Sequence, residues 1–137
     1  MEINNTLNRY VIQKHYTQPL HYDLMLEKEG FLETYSIFQE PDFQSFTPFQ
    51  SFNQIRIQKI HPHRLQYLTY EGPISGNRGV VEIWDSGEYS WDRCSEKLTL
   101  KGKKLSAVFS LVPENEANFF WLTFLENYFE EKSSEKK

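Results

Sequence analysis

The 137-residue sequence contains a single cysteine, Cys94, so no disulfide can form within the chain. One unpaired thiol is typical of the reducing cytoplasm, which is the localisation that the sequence predicts. No apolar run approaches the roughly 20 residues that a membrane-spanning helix needs. The first residues, Met1–Asn5, also lack the basic and apolar regions of a secretory signal. We therefore expect no membrane association.

The chain also lacks an excess of positive charge, because 15 Lys and Arg residues stand against 19 Asp and Glu residues, which gives a net charge of −4. Proteins that coat duplex DNA are usually basic, since their affinity comes from neutralising phosphates. The charge balance argues against strong, non-specific duplex binding, but it allows a local patch that recognises a nucleic-acid end. Phosphate-binding glycine loops, nucleophile elbows and paired cysteines are absent from the sequence.

Apolar and polar residues alternate with a period of two over much of the sequence, which predicts strands. The clearest is Leu20–Glu27, where His21 and Asp23 lie on the face opposite the leucines. Further strands are predicted at 10–13, 31–37, 55–60, 80–84, 98–101 and 105–112, with a turn at 85–87 and a loop at 39–53. Residues 117–129 fit a helix and a strand equally well. The closely spaced strands and turns predict one mostly β domain, either a barrel or a sandwich.

Three residues near the start of the chain form a candidate metal site. His21 and Asp23 share a strand face, and His15 lies six residues earlier. Two imidazoles and one carboxylate are a common ligand set for Mn²⁺, Zn²⁺ or Fe²⁺. The residues alone favour a simpler alternative, a solvated strand face on which His21 pairs with Asp23.

Two further patterns are compatible with nucleic-acid binding. Five basic or imidazole side chains within nine positions form a candidate phosphate-facing patch: Arg56, Lys59, His61, His63 and Arg64. A charge-balanced, solvated strand edge explains them equally well. Four phenylalanines recur every third position, at Phe43, Phe46, Phe49 and Phe52. They would either stack on the bases of a single strand or pack a long loop onto the barrel.

The segment from His15 to Glu27 resembles the 3′-phosphoesterase domain of bacterial DNA ligase D. That family carries a histidine, five residues and then His-Tyr-Asp-Leu-Arg-Leu-Glu, and this chain has His-Tyr-Asp-Leu-Met-Leu-Glu from His21. The segment from His63 to Tyr67 is similar to the family's His-Pro-Leu-x-Tyr, and Ile83–Gly87 to its Val-Trp-Asp-x-Gly. The resemblance covers residues 9 to 126. Because of this resemblance, we expect His21 and Asp23 to be metal ligands and not a solvated pair on a strand face.

The resemblance implies a single compact, disrupted β-barrel with little helix over residues 1–129. The residues at 130–137 are charged and include serines, which predicts a flexible tail. It implies that Trp121–Leu125 is a strand. The family's site lies at one mouth of the barrel, so the same place is expected here.

The implied activity is the healing of DNA 3′ ends with Mn²⁺, although other divalent transition metals are compatible with the ligands. The family removes a terminal 3′-ribonucleoside and then the 3′-phosphate, which leaves a 3′-hydroxyl. The matches assign His15, His21 and Asp23 as metal ligands, and His63 and Tyr67 as catalytic and phosphate-binding residues. Arg78 lies where the family pattern is shortened, and it is a candidate phosphate-binding residue that would replace a lost contact. The expected partners are primer–template 3′ ends and a separate ligase or polymerase.

The main departure from the family pattern is Met25, which replaces the arginine of the motif. A methionine has no donor or charge, and its place beside His21 and Asp23 is expected to face the phosphate, so a weakened activity is expected. A family lysine is also missing near 39–41.

The alternative function is a non-catalytic module of the same fold that binds a metal or a nucleic-acid end. A third is a phosphoesterase for an unrelated small phosphodiester.

Overall fold

The computed structural model describes residues 8–41 and 54–129. Two predictions therefore lie outside the described residues: the phenylalanine pattern at 43–52 and the tail at 130–137. Within the described part, a single 3-10 helix (Leu65–Leu68) accompanies nine strands. The strands are β1 (Asn8–Tyr16), β2 (His21–Lys28), β3 (Phe31–Ile37), β4 (Gln54–His63), β5 (Gly72–Pro73), β6 (Val80–Asp92), β7 (Lys97–Gly102), β8 (Ser106–Pro113) and β9 (Phe119–Asn127).

Eight of these strands close into an antiparallel barrel. Their order is β1-β2-β3-β4-β9-β8-β7-β6, and β6 pairs with β1 to close the ring, while β5 adds to the side of β6. Register shifts interrupt the ladders in β1, β3 and β8. The prediction of a mostly β, disrupted barrel with little helix is confirmed, and Trp121–Leu125 lies within strand β9.

Alternation within the strands separates the inside of the barrel from its outer face. On β2, Leu24 and Leu26 belong to the large apolar cluster that fills the barrel. His21, Asp23 and Met25 alternate with them and therefore project outward. A smaller apolar cluster packs on this outer face and consists of Val11, Met25, Leu32 and Leu68. The connection between β4 and β6, which contains the 3-10 helix, thus covers the outside of the β1–β3 wall.

The turn predicted at 85–87 is wrong, because β6 continues through these residues. Asp85 is only 3% exposed, and its carboxylate accepts the Tyr10 hydroxyl and two backbone amides of the β7–β8 turn. Gly87 allows a close approach of β7, since a Cβ there would lie 2.1 Å from the Lys101 carbonyl oxygen. Asp85 and Gly87, which suggested a turn, are therefore strand residues: Asp85 binds β1 and the β7–β8 turn, and Gly87 lets β7 pack closely against β6.

Among the described residues, no helix has the length and apolar character needed to cross a membrane.

Candidate functional site

A cleft of about 430 Å³ lies on the outer face of the barrel wall. It brings together His15 from β1, His21 and Asp23 from β2, His63 from the end of β4 and Tyr67 from the 3-10 helix. All five were singled out in the sequence. The expected position at a mouth of the barrel is wrong, because these strand residues alternate with interior ones and so project from the opposite side of the wall.

The possible metal ligands are brought together by the β1–β2 ladder. His15 and His21 lie directly opposite each other, and their rings meet edge to face with 4.8 Å between centroids. His15 Nδ1 lies 3.7 Å and His21 Nε2 lies 3.4 Å from the same oxygen, Asp23 Oδ2. The ligand atoms of the three residues lie within 4.8 Å of one another. Two imidazole nitrogens and a carboxylate oxygen at this spacing suit a divalent transition metal.

Backbone carbonyls fix the orientation of both imidazoles. His15 Nε2 lies 2.7 Å from the Arg78 carbonyl oxygen, and His21 Nδ1 lies 2.9 Å from the Pro19 carbonyl oxygen. A carbonyl can only accept, so each of these nitrogens carries the proton. The other nitrogen of each ring is left facing Asp23. Such second partners are typical of histidines that bind metals.

Asp23 is held as a carboxylate although it is only 3% exposed. Burial by itself would raise the pKa of Asp23, but the neighbouring His15 and His21 and the Ser36 hydroxyl outweigh burial and hold it well below its usual range. Ser36 Oγ donates to Asp23 Oδ1 at 3.0 Å, which leaves Oδ2 for the histidines or a cation. In return, the bond to Asp23 raises the pKa of His21 above its ordinary value.

The facing wall of the cleft carries His63 and Tyr67, whose rings meet edge to face at 6.0 Å. His63 Nδ1 lies 3.2 Å from the His61 carbonyl oxygen, so its Nε2 is free for a ligand. The two histidine rings also stack, with 5.1 Å between centroids. Burial lowers the pKa of His63 below its ordinary value, which favours the neutral imidazole in the absence of an anion.

Sequence reasoning missed the residue that joins the two walls. Gln13 is only 2% exposed, and its Nε2 donates to the carbonyl oxygens of Tyr67 and Tyr70 at 3.0 and 2.9 Å. It lies two positions before His15 on β1 and therefore on the same face. This two-residue spacing from His15 is the sequence signal that could have identified Gln13 as part of the site. Ser36 left no comparable pattern, because it meets Asp23 only through the pairing of β3 with β2.

The predicted basic patch does not form as a unit. Arg56 pairs with two glutamates of the β8–β9 connection at 2.9 and 2.7 Å, and Lys59 points toward Glu33 at 3.5 Å. Of the five residues in the predicted patch, His61, His63 and Arg64 line the cleft, and Arg56 and Lys59 do not. Alternation along β4 and the irregular pairing near its end send neighbouring side chains in different directions.

Arg78 also lines the cleft, but its guanidinium is already bound to Ser75, at 2.7 Å to the carbonyl oxygen and 3.1 Å to the hydroxyl. Its backbone carbonyl oxygen accepts the hydrogen bond from His15, a candidate metal ligand. Arg64 is exposed, and its guanidinium forms no ion pair with any residue in the described ranges. Arg64 is thus the cation of the cleft that remains available to an anion.

Met25 does not face the cleft. It is fully buried against Val11, Leu32 and Leu68, with Tyr67 packed at the edge of this cluster. The expectation that position 25 points at a bound phosphate is therefore wrong for this chain. A flexible, apolar thioether fills the space under the 3-10 helix instead.

Comparison with known proteins agrees with this geometry. The family model of the DNA ligase D 3′-phosphoesterase domain matches residues 13–113, which include every candidate site residue named above. The multifunctional non-homologous end joining DNA repair protein LigD of Mycobacterium tuberculosis is 33% identical over 119 positions, covering 79% of this chain and 15% of the relative. The LigD proteins of Mycolicibacterium smegmatis and Pseudomonas aeruginosa are 30% and 29% identical, covering 88% and 80% of this chain.

The chain spans only 14% to 17% of the length of these curated relatives. The similarity therefore concerns one domain of much longer proteins. Within that domain, the family match, the barrel and the cluster of two histidines and one aspartate coincide. This chain belongs to the DNA ligase D 3′-phosphoesterase domain family.

Proposed function

We propose that this chain is a divalent-metal-dependent phosphoesterase that acts on the 3′ ends of DNA strands, with Mn²⁺ as its cation. The observation that carries the proposal is the convergence of His15, His21 and Asp23 with His63 and Tyr67 in one cleft. The names of the relatives associate them with DNA end joining and repair, which supports DNA as the substrate class.

The metal would be held by His15 Nδ1, His21 Nε2 and Asp23 Oδ2, the three atoms that already face one another. A cation bound there would act as a Lewis acid on a phosphoryl oxygen and neutralise charge that develops on it. Two neutral imidazoles and one carboxylate cancel only one unit of charge. The ligand set therefore leaves a net positive site for an anionic substrate.

The opposite wall would bind the phosphate and move a proton. A phosphate anion beside His63 favours the imidazolium, so His63 holds a proton at Nε2 toward the leaving oxygen. The Tyr67 hydroxyl donates to a phosphate oxygen, and the Arg64 guanidinium adds a positive charge. Water would supply the attacking oxygen in both reactions. At a strand that ends in a ribonucleotide, the bond between phosphorus and the ribose 5′ oxygen would break, the ribonucleoside would leave with the proton from His63, and a 3′-phosphate would remain. At a 3′-phosphate, the bond between phosphorus and the 3′ oxygen would break, which gives inorganic phosphate and a 3′-hydroxyl.

The direct test is incubation of the purified chain with Mn²⁺ and a labelled primer–template that ends in one ribonucleotide or in a 3′-phosphate. Shortened and dephosphorylated products support the proposal. His21→Ala should abolish Mn²⁺ uptake in calorimetry while the fold is retained, since a core of this size needs no metal. His63→Ala and Tyr67→Phe should slow turnover with nearly constant Mn²⁺ affinity, because they address the phosphate.

Arg64→Gln tests which cation completes the site. Removal of one preorganised donor typically costs on the order of 10²–10³ in rate. Arg9→Gln is the matched control, because the Arg9 guanidinium is paired with Glu27 outside the cleft. Equal rates for both variants would contradict the role of Arg64.

The buried Met25 supports one alternative, a non-catalytic module that binds a metal or a DNA end and recruits a separate ligase or polymerase. In that case the chain would bind Mn²⁺ and the primer–template, and neither substrate would be converted. Turnover of a small phosphodiester without turnover of DNA would instead indicate the third function.

A further inference from the structure

A large exposed apolar side chain, Phe38, lies beside the candidate metal ligands. It comes two positions after Ser36, whose hydroxyl binds Asp23. The neighbouring Tyr16 is exposed too, but alternation along β1 turns it away from His15 to the other face, where its hydroxyl donates to Glu82. An exposed apolar side chain needs no explanation by itself, but contact with a candidate metal ligand gives Phe38 a position next to the substrate.

Phe38 is in direct contact with a candidate metal ligand. Its ring centroid lies 5.6 Å from that of His21, with an angle of 46° between the planes. It follows the last residue of β3, whose neighbour in β2 is Tyr22. More than half of its surface, 52%, is left to solvent although a partly buried imidazole lies beside it.

We propose that Phe38 stacks on the nucleobase of the terminal nucleotide whose 3′-phosphate occupies the cleft. The inference rests on the proposed function. A 3′-phosphate bound by the His21 side of the cleft is joined through its ester oxygen to the sugar that carries this base. The base therefore lies within one nucleotide of His21, which is where the Phe38 ring is found.

Stacking suits an enzyme that must recognise an end and not a sequence. Every base has a π face, so an aromatic platform holds any of them, and its loss typically weakens binding by about 5- to 150-fold per base. The proposal thus predicts contact with the terminal base and no preference among the four bases.

The test compares two 3′-phosphate primer–templates that differ only in the terminal nucleotide, one with a natural base and one abasic. Phe38→Ala should lower kcat/KM for the base-containing end by about tenfold and for the abasic end by less than about twofold. Phe38→Trp should keep the activity, because an indole also stacks. Phe31→Ala is the matched control, an exposed phenylalanine (40%) at the opposite end of the same strand.

Equal losses on both substrates would overturn the proposal, since they would mean that Phe38 only supports His21. No loss on either substrate would overturn it as well. A Mn²⁺ titration of Phe38→Ala without DNA should match that of the original chain. If the original chain shows no turnover, the proposed function fails, and equilibrium binding of the same two ends in Mn²⁺ then decides whether Phe38 stacks: a loss confined to the base-containing end supports it, and any other result overturns it.

Discussion

His15 and His21 show how single hydrogen bonds prepare a site. Each ring donates one N–H to a backbone carbonyl, so its other nitrogen is directed at Asp23 before any cation arrives. Ordering side chains costs conformational entropy, and here the backbone has already ordered two of the three candidate ligands. The direction of the ligands is thus a property of two main-chain oxygens as much as of the histidines.

Met25→Arg should destabilise the protein and should not speed the removal of a 3′-phosphate. Position 25 is fully buried in an apolar cluster, and an unpaired buried charge costs about 3–5 kcal/mol. Met25→Leu, which conserves volume, should cost less than about 1.5 kcal/mol. Chemical denaturation of the three proteins measures this difference, and an arginine variant as stable as the original would show that the side chain reaches the cleft.

Glu33 should make the stability of the barrel depend on acid pH. Burial by itself would raise the pKa of Glu33, but the Tyr35 hydroxyl and the nearby Lys59, Lys28 and Arg93 outweigh it and hold the pKa below its ordinary value. A carboxyl with a lowered pKa stabilises the fold above its unfolded pKa of about 4.5, and this contribution is lost as the pH falls through the folded value.

The measurement for Glu33 is the unfolding free energy of the original chain and of Glu33→Gln across pH. At pH 7 the variant should be less stable, because Lys28, Lys59 and Arg93 surround this carboxylate and form no other ion pair within residues 8–41 and 54–129. The difference should shrink below pH 4. A difference that stays constant from pH 7 to pH 2.5 would contradict the role of the charge.

At the scale of elements, the site depends on how the connection between β4 and β6 is held against the barrel wall. The 3-10 helix supplies Leu68 to the outer apolar cluster and Tyr67 to the cleft. Gln13 on β1 fastens the same segment by two hydrogen bonds to its carbonyls. The candidate metal ligands lie on β1 and β2, so this fastening sets the distance between the two walls of the cleft.

Gln13→Leu should lower turnover without a matching loss of Mn²⁺ affinity. Loss of a donor to two carbonyl oxygens should lower stability by about 1–3 kcal/mol. Turnover of a 3′-phosphate end should fall, while Mn²⁺ affinity stays nearly constant, because the Gln13 amide holds the segment that carries Tyr67 and forms no hydrogen bond with a candidate ligand. Gln54→Leu is the matched control, since Gln54 is exposed and its amide donates to the Thr123 hydroxyl at 3.0 Å, outside the cleft. A proportional loss of Mn²⁺ affinity in Gln13→Leu would refute this division.

At the scale of the whole molecule, the barrel is closed by the pairing of β1 with β6, and one buried carboxylate lies at this closure. Asp85 on β6 accepts the Tyr10 hydroxyl of β1 at 2.7 Å and the amides of Lys104 and Leu105 at 2.8 and 3.0 Å. It thereby joins the first strand, the closing strand and the β7–β8 turn. Gly102 leaves room for this arrangement, since a Cβ there would lie 2.0 Å from the Tyr10 hydroxyl.

Asp85→Ala should therefore lower the unfolding free energy by about 3 kcal/mol or more, because it strands several donors in a buried place. Asp92→Ala provides the comparison. Asp92 is on the same strand and also accepts two amides, from Cys94 and Ser95, but it is exposed. Its loss should cost less than about 1 kcal/mol. Equal costs in denaturant unfolding would show that burial at Asp85 is not what matters.

Local periodicity was enough to predict most of the strands and the shared face of His21 and Asp23, while the interpretation of that pair as metal ligands came from the family resemblance. Alternation placed His21 and Asp23 on one face of β2, and a tight connection brought His15 opposite His21. The resemblance to the family added what periodicity could not, the assignment of residues 121–125 to a strand and the link from this pair to His63 and Tyr67.

Only the tertiary structure decided which neighbours each side chain meets. Met25 has the same alternation as Asp23, yet the 3-10 helix covers one and leaves the other in the cleft. Arg56 and Arg64 are both cations of one segment, but pairing with β9 carries Arg56 to Glu114 while Arg64 reaches the cleft. Such contacts join residues far apart in the chain, and no local pattern encodes the packing that selects among them.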